Sequence, residues 1–261
     1  MLKKRLIGVV TVKNGWAIQS FGYCRYLPLG KPECLVENLD RWGADEILVQ
    51  VIDRSSGSLG PDFELLRRLG ALGLKTPLIY AGGIRSVSDG VKLIQSGADR
   101  LVVDALLHGD LVPVMGLSER LGAQAVIASL PLSWKEERLE WLDYRIQSST
   151  PISDDVLDLI QSGIISEVFV ADWQHEGKPC EFEQRLVKEF PLPDVPLIAF
   201  GGLSNYEQMK ALLQISRLAA IAVGNFLSYR EHAIQKYKEA LMNMPLRLAT
   251  YDSTFSLIAD V

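Results

Sequence analysis

A glycine pair stands twice in this chain, each time between a short apolar stretch and the start of a helical pattern. The two copies read Ile79-Tyr80-Ala81-Gly82-Gly83-Ile84 and Ile198-Ala199-Phe200-Gly201-Gly202-Leu203. Around each pair the order repeats: a helix is predicted over 86–97 or 205–215, then a strand over 100–104 or 219–223. Gly202 lies 119 residues after Gly83 (202 − 83), close to half of the 261-residue length, so the chain reads as two copies of a strand–helix unit. Glycine suits these turns because a residue without a Cβ lets backbone N–H groups close around an anion at a helix start. Two such turns predict a ligand with phosphate at two ends. Tight strand-to-helix turning explains the same glycines without any ligand.

The remaining pattern predicts eight strands, at 5–12, 46–52, 77–81, 100–104, 124–130, 167–171, 196–200 and 219–223, with amphipathic segments between them. These segments are Leu35–Trp42, Phe63–Leu72, Val87–Ser96, Leu111–Leu121, Asp154–Ser162, Phe182–Phe190 and Tyr206–Leu213, with a last helix near Tyr229–Leu241. Eight strand–helix repeats in this length predict an α/β fold, a closed (β/α)8 barrel with two-fold internal duplication; a doubly wound open sheet is the competitor. No linker-like run divides the chain, so residues 1–261 are expected to form one domain. Residues 14–33 and 53–61 read as long loops at the end of the barrel where active sites are built. Residues 131–150 read as an inserted hairpin whose Trp134, Trp141 and Tyr144 either cover the core or touch ligand.

With 27 Lys and Arg against 32 Asp and Glu, the net charge of −5 argues against a surface that coats nucleic acid. Cys24, Cys34 and Cys180 lack metal-ligand spacing, and their odd number leaves one without an intrachain partner, which fits a reducing, cytoplasmic setting. Thr11-Val12-Lys13-Asn14 breaks the first apolar run too early for a signal peptide, and no stretch reaches membrane-spanning length. No metal-ligand pattern or dinucleotide loop predicts a cofactor.

Taken in order, Val12-Lys13-Asn14-Gly15, Gly43-Ala44-Asp45-Glu46, Ala81-Gly82-Gly83-Ile84, Ser96-Gly97-Ala98-Asp99-Arg100, Phe200-Gly201-Gly202-Leu203 and Phe226-Leu227-Ser228-Tyr229-Arg230-Glu231 resemble the cyclase subunit (HisF) family of imidazole glycerol phosphate synthase. The resemblance covers roughly the whole chain. It implies a ligand phosphorylated at both ends, held at one end by Gly82, Gly83 and the loop beyond Asp104 and at the other by Gly201, Gly202, Gly224 and Asn225, with Lys13 adding positive charge. The chain also departs from the pattern. Where the family places acid/base aspartates after its first and fifth strands, this chain has Thr11 and Pro131, neither of which exchanges a proton near neutral pH. Gln19 stands at the family's lysine, Gln174-His175-Glu176-Gly177 at its Asp-Arg-Asp-Gly, and Phe200 at a small hydroxyl residue. These changes direct attention to Asp104, His175 and Glu176 as the catalytic candidates, with Asp53 beside them.

A second constellation lies at the strand beginnings. Arg5, Ile7, Val9 and Thr11 share one strand face, as do Glu46, Leu48 and Gln50, then Arg100, Val102 and Asp104, then Glu167, Phe169 and Ala171. If these faces point inward, Arg5, Glu46, Arg100 and Glu167 meet at the lower mouth. The resemblance implies a gate for ammonia delivered by a glutaminase (HisH-like) partner, with Asp99 near that contact; simple closure of the barrel by a salt-bridge ring is the other reading. The expected function is a glutaminase-coupled barrel that conducts or uses ammonia on a phosphorylated, sugar-like small molecule, or passes it to a third amidotransferase protein in surface-sugar synthesis. The alternatives are the cyclase (lyase) of histidine biosynthesis and a noncatalytic scaffold subunit.

Overall fold

The computed structural model describes residues 3–57, 59–229 and 231–248. Met1 and Leu2 at the start, Ser58 in the 53–61 loop, Arg230 of the last motif and residues 249–261 of the expected domain lie outside the described residues. Among the described residues twelve strands follow in chain order: β1 (Arg5–Lys13), β2 (Trp16–Phe21), β3 (Arg25–Gly30), β4 (Glu46–Val51), β5 (Leu78–Ala81), β6 (Arg100–Val103), β7 (Val126–Lys135), β8 (Arg138–Asp143), β9 (Ser148–Thr150), β10 (Glu167–Asp172), β11 (Leu197–Phe200) and β12 (Leu218–Val223). Eight of them, β1, β4, β5, β6, β7, β10, β11 and β12, pair in parallel, and the β7–β10 and β12–β1 ladders close the sheet. The fold is the expected (β/α)8 barrel, not an open sheet.

Side chains alternate between two apolar layers, as the period of two requires. Ile7, Val9, Leu48, Val102, Ile127, Phe169, Ala171, Ile198, Phe200, Ala220 and Ala222 fill the barrel interior. Leu6, Val10, Val12, Ile47, Val49, Val168 and Val170 face the surrounding helices. The strand faces read from sequence therefore point inward.

Three helices start where a side chain accepts one of their first amides: Ser86 from Asp89, Asp62 from Leu65 and Asn205 from Glu207. The segment expected as a helix over Phe182–Phe190 is helical only over Arg185–Lys188. The Glu183 amide just before it donates to the Asp172 carboxylate at 2.8 Å, and Pro191 and Pro193 follow its end.

The 14–33 segment is not an open loop. It is the antiparallel hairpin β2–β3, folded back from β1 through Asn14-Gly15. Both turn residues have positive φ (50° and 77°), the two-residue turn whose twist matches paired strands. The Asn-Gly pair was the signal for it. The 131–150 hairpin is present as β7–β8, with Glu136 and Glu137 in its turn at φ 49° and 59°.

The ladder registers superpose the two halves. Ile7 pairs with Glu46 as Ile127 pairs with Glu167, and Ile79 pairs with Arg100 as Ile198 pairs with Ala220. Counting along the strands equates Thr11 with Pro131, Val51 with Asp172, Gly82 with Gly201, and Asp104 with Gly224. A Cβ on Gly82 would come within 2.2 Å of the Val51 carbonyl, and one on Gly201 within 2.4 Å of the Asp172 carbonyl. Both glycines have positive φ, so the close turn and the backbone conformation each exclude a side chain.

Candidate functional site

At the lower mouth all four charges read from sequence turn inward and pair with one another. Arg5 contacts Glu46 at 2.9 Å and Glu167 more closely; Arg100 contacts Glu46 at 3.2 Å and Glu167 at 2.6 Å. Each side chain is 8–13% exposed. Burial opposes the Arg5 charge, but Glu167 and Glu46 outweigh it and raise the guanidinium pKa. The result is a closed, alternating ring directly beneath the apolar interior. Asp99 is used locally, its carboxylate accepting the Leu78 amide at 2.7 Å.

The upper mouth has two unlike ends. In the first half, the Gly83 amide donates to the Ser55 hydroxyl at 3.1 Å, and that hydroxyl lies 3.3 and 3.4 Å from the two Asp104 oxygens. Asp104 also accepts from the Ala105 amide at 2.5 Å and from the Tyr144 hydroxyl. Burial raises the Tyr144 pKa and the neighbouring Asp104 raises it further, so Tyr144 stays a donor. Asp53 accepts from the Asn14 amide at 2.7 Å and steadies the Asn14-Gly15 turn.

In the second half the β2–β3 hairpin is strapped across the mouth. Ser20 exchanges two hydrogen bonds with the Asn225 side chain, donating its amide at 3.1 Å and accepting from Nδ2 at 2.5 Å. The Ser20 hydroxyl and the Tyr23 amide donate to the Glu176 carboxylate at 3.1 and 3.3 Å, and the Gly22 amide to the Glu176 carbonyl at 2.9 Å. Glu176 is 3% exposed, and burial raises its pKa against these hydrogen bonds. Tyr23 packs on the interior layer beside Gln50, and its burial, with Glu176 nearby, raises the phenol's pKa. Phe200 stacks on Phe169 with ring centres 5.2 Å apart. Gly177, Gly201, Gly202, Gly224 and Asn225 line a cleft of about 10 Å³, room for one water under the strap.

His175 is held by Asp172, whose carboxylate lies 2.7 Å from the imidazole Nδ1 and also accepts from the Glu183 amide. Asp172 is 1% exposed, and burial raises its pKa while these donors counter it. The His175 backbone and Cβ lie against Gly202, within 3.0–3.2 Å of a Cβ placed there. An imidazole whose Nδ1 is fixed by a buried carboxylate presents Nε2 for proton exchange.

The structure thus separates the three catalytic candidates: Asp104 belongs to the first-half end, whereas Glu176 is turned into the hairpin and His175 lies beside the second glycine pair. Lys13 rests 3.7 Å from the centre of the Tyr26 ring, on the hairpin. Thr11 and Pro131 occupy matching mouth positions, and neither brings an ionisable group. Asp172, Ser55 and Tyr23 were not singled out as site residues from sequence, whereas Tyr144 was named there as covering the core or touching ligand, and it reaches Asp104 at the mouth. For Asp172 the signal was its place at a strand end three residues before a histidine. Trp141 is core cover: it is 3% exposed and stacks on His108, ring centres 3.7 Å apart. Among the described residues no helix is long and apolar enough to cross a membrane, and Cys24, Cys34 and Cys180 are free and exposed.

Comparison with known proteins agrees with this architecture. The family model described as "Histidine biosynthesis protein" matches residues 14–113 and 71–233, two overlapping segments as an internal duplication would give. The hisF2 protein of Vibrio vulnificus, provisionally named as an imidazole glycerol phosphate synthase subunit, is 25% identical over 252 residues, covering 95% of this chain and 92% of its own length. The HisF subunits of imidazole glycerol phosphate synthase from Streptococcus mutans and Staphylococcus carnosus are 24% and 25% identical over 245 residues, each covering 92% of this chain and 97% and 96% of their own lengths. With most of its length matched and identity this low, the chain belongs to the histidine biosynthesis protein family as a diverged HisF-like barrel.

Proposed function

We propose that this chain is a HisF-type synthase subunit that binds a phosphorylated, sugar-like ligand at its upper mouth and receives ammonia through its lower ring from a HisH-like glutaminase. The observation that carries the reading is the ring itself: four inward charges, mutually paired, lie beneath an interior filled mainly by apolar side chains. An uncharged ammonia molecule can cross such an interior, whereas ammonium loses its hydration there at high cost. In this scheme the upper mouth holds the phosphate and the Asp172–His175 pair moves protons in place of the absent carboxylates at Thr11 and Pro131. The test is glutamine-dependent incorporation of nitrogen in the presence of a HisH-type glutaminase. Arg5→Ala is expected to uncouple glutamine hydrolysis from incorporation while free ammonium still supports it. Absence of any complex with the glutaminase at micromolar concentrations would overturn the reading.

A second reading, the cyclase of histidine biosynthesis, is favoured by the family match and the relatives' names. It requires ring formation from the phosphorylated ribosyl substrate of that synthase with ammonium as nitrogen source. Tight binding without turnover would remove it, as Thr11 and Pro131 predict.

A further inference from the structure

The two ends of the upper mouth share a backbone but not the residue at the strand exit. Gly224 opens the second-half end, and its register partner in the first half is Asp104. A carboxylate therefore stands where the other half has no side chain. It is built in: the Ala105 amide, the Ser55 hydroxyl and the Tyr144 hydroxyl converge on it, and the Gly83 amide is taken by Ser55. The donors that would receive a phosphate at this end already serve an internal anion.

We infer that Asp104 is the specificity-determining residue of the mouth, excluding phosphate from the first-half end and offering an acceptor there to a hydroxyl or amine of a ligand that carries its one phosphate elsewhere. A phosphate brought to the Gly82-Gly83 turn meets a like charge and finds its amide donors occupied. A hydroxyl or ammonium group meets an acceptor instead. Glu176 also lines the second-half cleft, but its acceptor oxygen serves Ser20 and Tyr23 of the hairpin, not an amide of the glycine turn or of the strand exit. The inference rests on the proposal that this mouth binds phosphate.

The experiment compares ribose 5-phosphate with ribulose 1,5-bisphosphate by calorimetry, on the wild-type chain and on Asp104→Asn and Asp104→Gly. Asp104→Asn keeps an oxygen for the Ala105 amide and so preserves the local turn; Asp104→Gly copies the other half. The wild type is expected to bind the monophosphate at least as tightly as the bisphosphate. Each substitution is expected to shift the preference toward the bisphosphate by roughly tenfold or more, about 1.4 kcal/mol. A wild type that prefers the bisphosphate tenfold, or a preference unmoved by Asp104→Asn in a folded variant, overturns the inference while leaving a phosphate site in place. No binding of either sugar phosphate by wild type or variants overturns the phosphate reading along with it.

Discussion

Where the first half of the barrel has Arg100 and Asp104 along one strand, the second half has Ala220 and Gly224 at the same register. The glutamates Glu46 and Glu167 do obey the two-fold relation, yet Arg5 and Arg100, which pair with them, both come from the first half. Duplication has therefore kept the backbone, the glycine turns and the interior layer, while the charges at both mouths have become lopsided. Backbone geometry is fixed by turns and close contacts that tolerate no side chain. Charges need only balance within each mouth, and a ring of two cations and two anions balances whichever half supplies them.

The lopsided ring gives the largest expected effect. Arg100→Ala leaves Glu46 and Glu167 buried with Arg5 alone to serve both, a loss of about 3–5 kcal/mol in urea unfolding. Enlarging its register partner, Ala220→Ser, is expected to cost less, about 1–2 kcal/mol, since a hydroxyl enters the apolar interior but no ion pair is broken. Equal losses at the two positions would show that the ring owes its stability to packing and not to charge pairing.

The barrel was legible in the sequence because its signals are local and repeated. Apolar strands with period two placed Ile7, Leu48, Val102 and Phe169 inside, and the same parity brought Arg5, Glu46, Arg100 and Glu167 together. The upper mouth was less legible, because its bonds join residues far apart in the chain. Ser20 meets Asn225, 205 positions away, and Tyr144 meets Asp104 across 40. The hairpin that makes the first of these contacts was announced by Asn14-Gly15, a turn signal that a loop reading passes over. Glu176 looked like a free acid beside His175, and only the folded-back hairpin shows that its carboxylate is engaged by Ser20 and Tyr23.

That engaged acid separates the two mouths by pH. Burial holds the Glu176 pKa above its ordinary value, so the folded state binds this proton more tightly than the unfolded chain does. Its contribution to stability is therefore greatest at low pH and declines as pH rises from about 4.5, the ordinary value, through the raised folded value. Glu176→Gln removes this dependence while keeping an oxygen for Ser20 and Tyr23. The variant is expected to match the wild type near pH 4 and to exceed it at pH 8, by less than the ring substitution costs. Unfolding free energies measured across that range check the sign; a variant less stable at pH 8 would mean that the ionised carboxylate is what holds the hairpin down.

The smallest contrast lies between the two hairpin turns. Asn14-Gly15 and Glu136-Glu137 both connect paired strands through residues of positive φ, but only the first pair has side chains suited to it. Each glutamate in the left-handed region carries a strain of roughly 1–2 kcal/mol, part of which a glycine would return as extra freedom of the unfolded chain. Replacing both, Glu136→Asn with Glu137→Gly, is expected to stabilise the protein by about 1 kcal/mol in urea unfolding. The reverse change, Gly15→Ala, is expected to cost a similar amount, because a Cβ there meets no atom within 4 Å and only the φ of 77° opposes it. Glu136 and Glu137 each also lie within 4.0 Å of an arginine, Arg138 and Arg185, but these are exposed pairs worth little. A double substitution that lowers stability would show that those arginines, and not the turn geometry, fix the second hairpin.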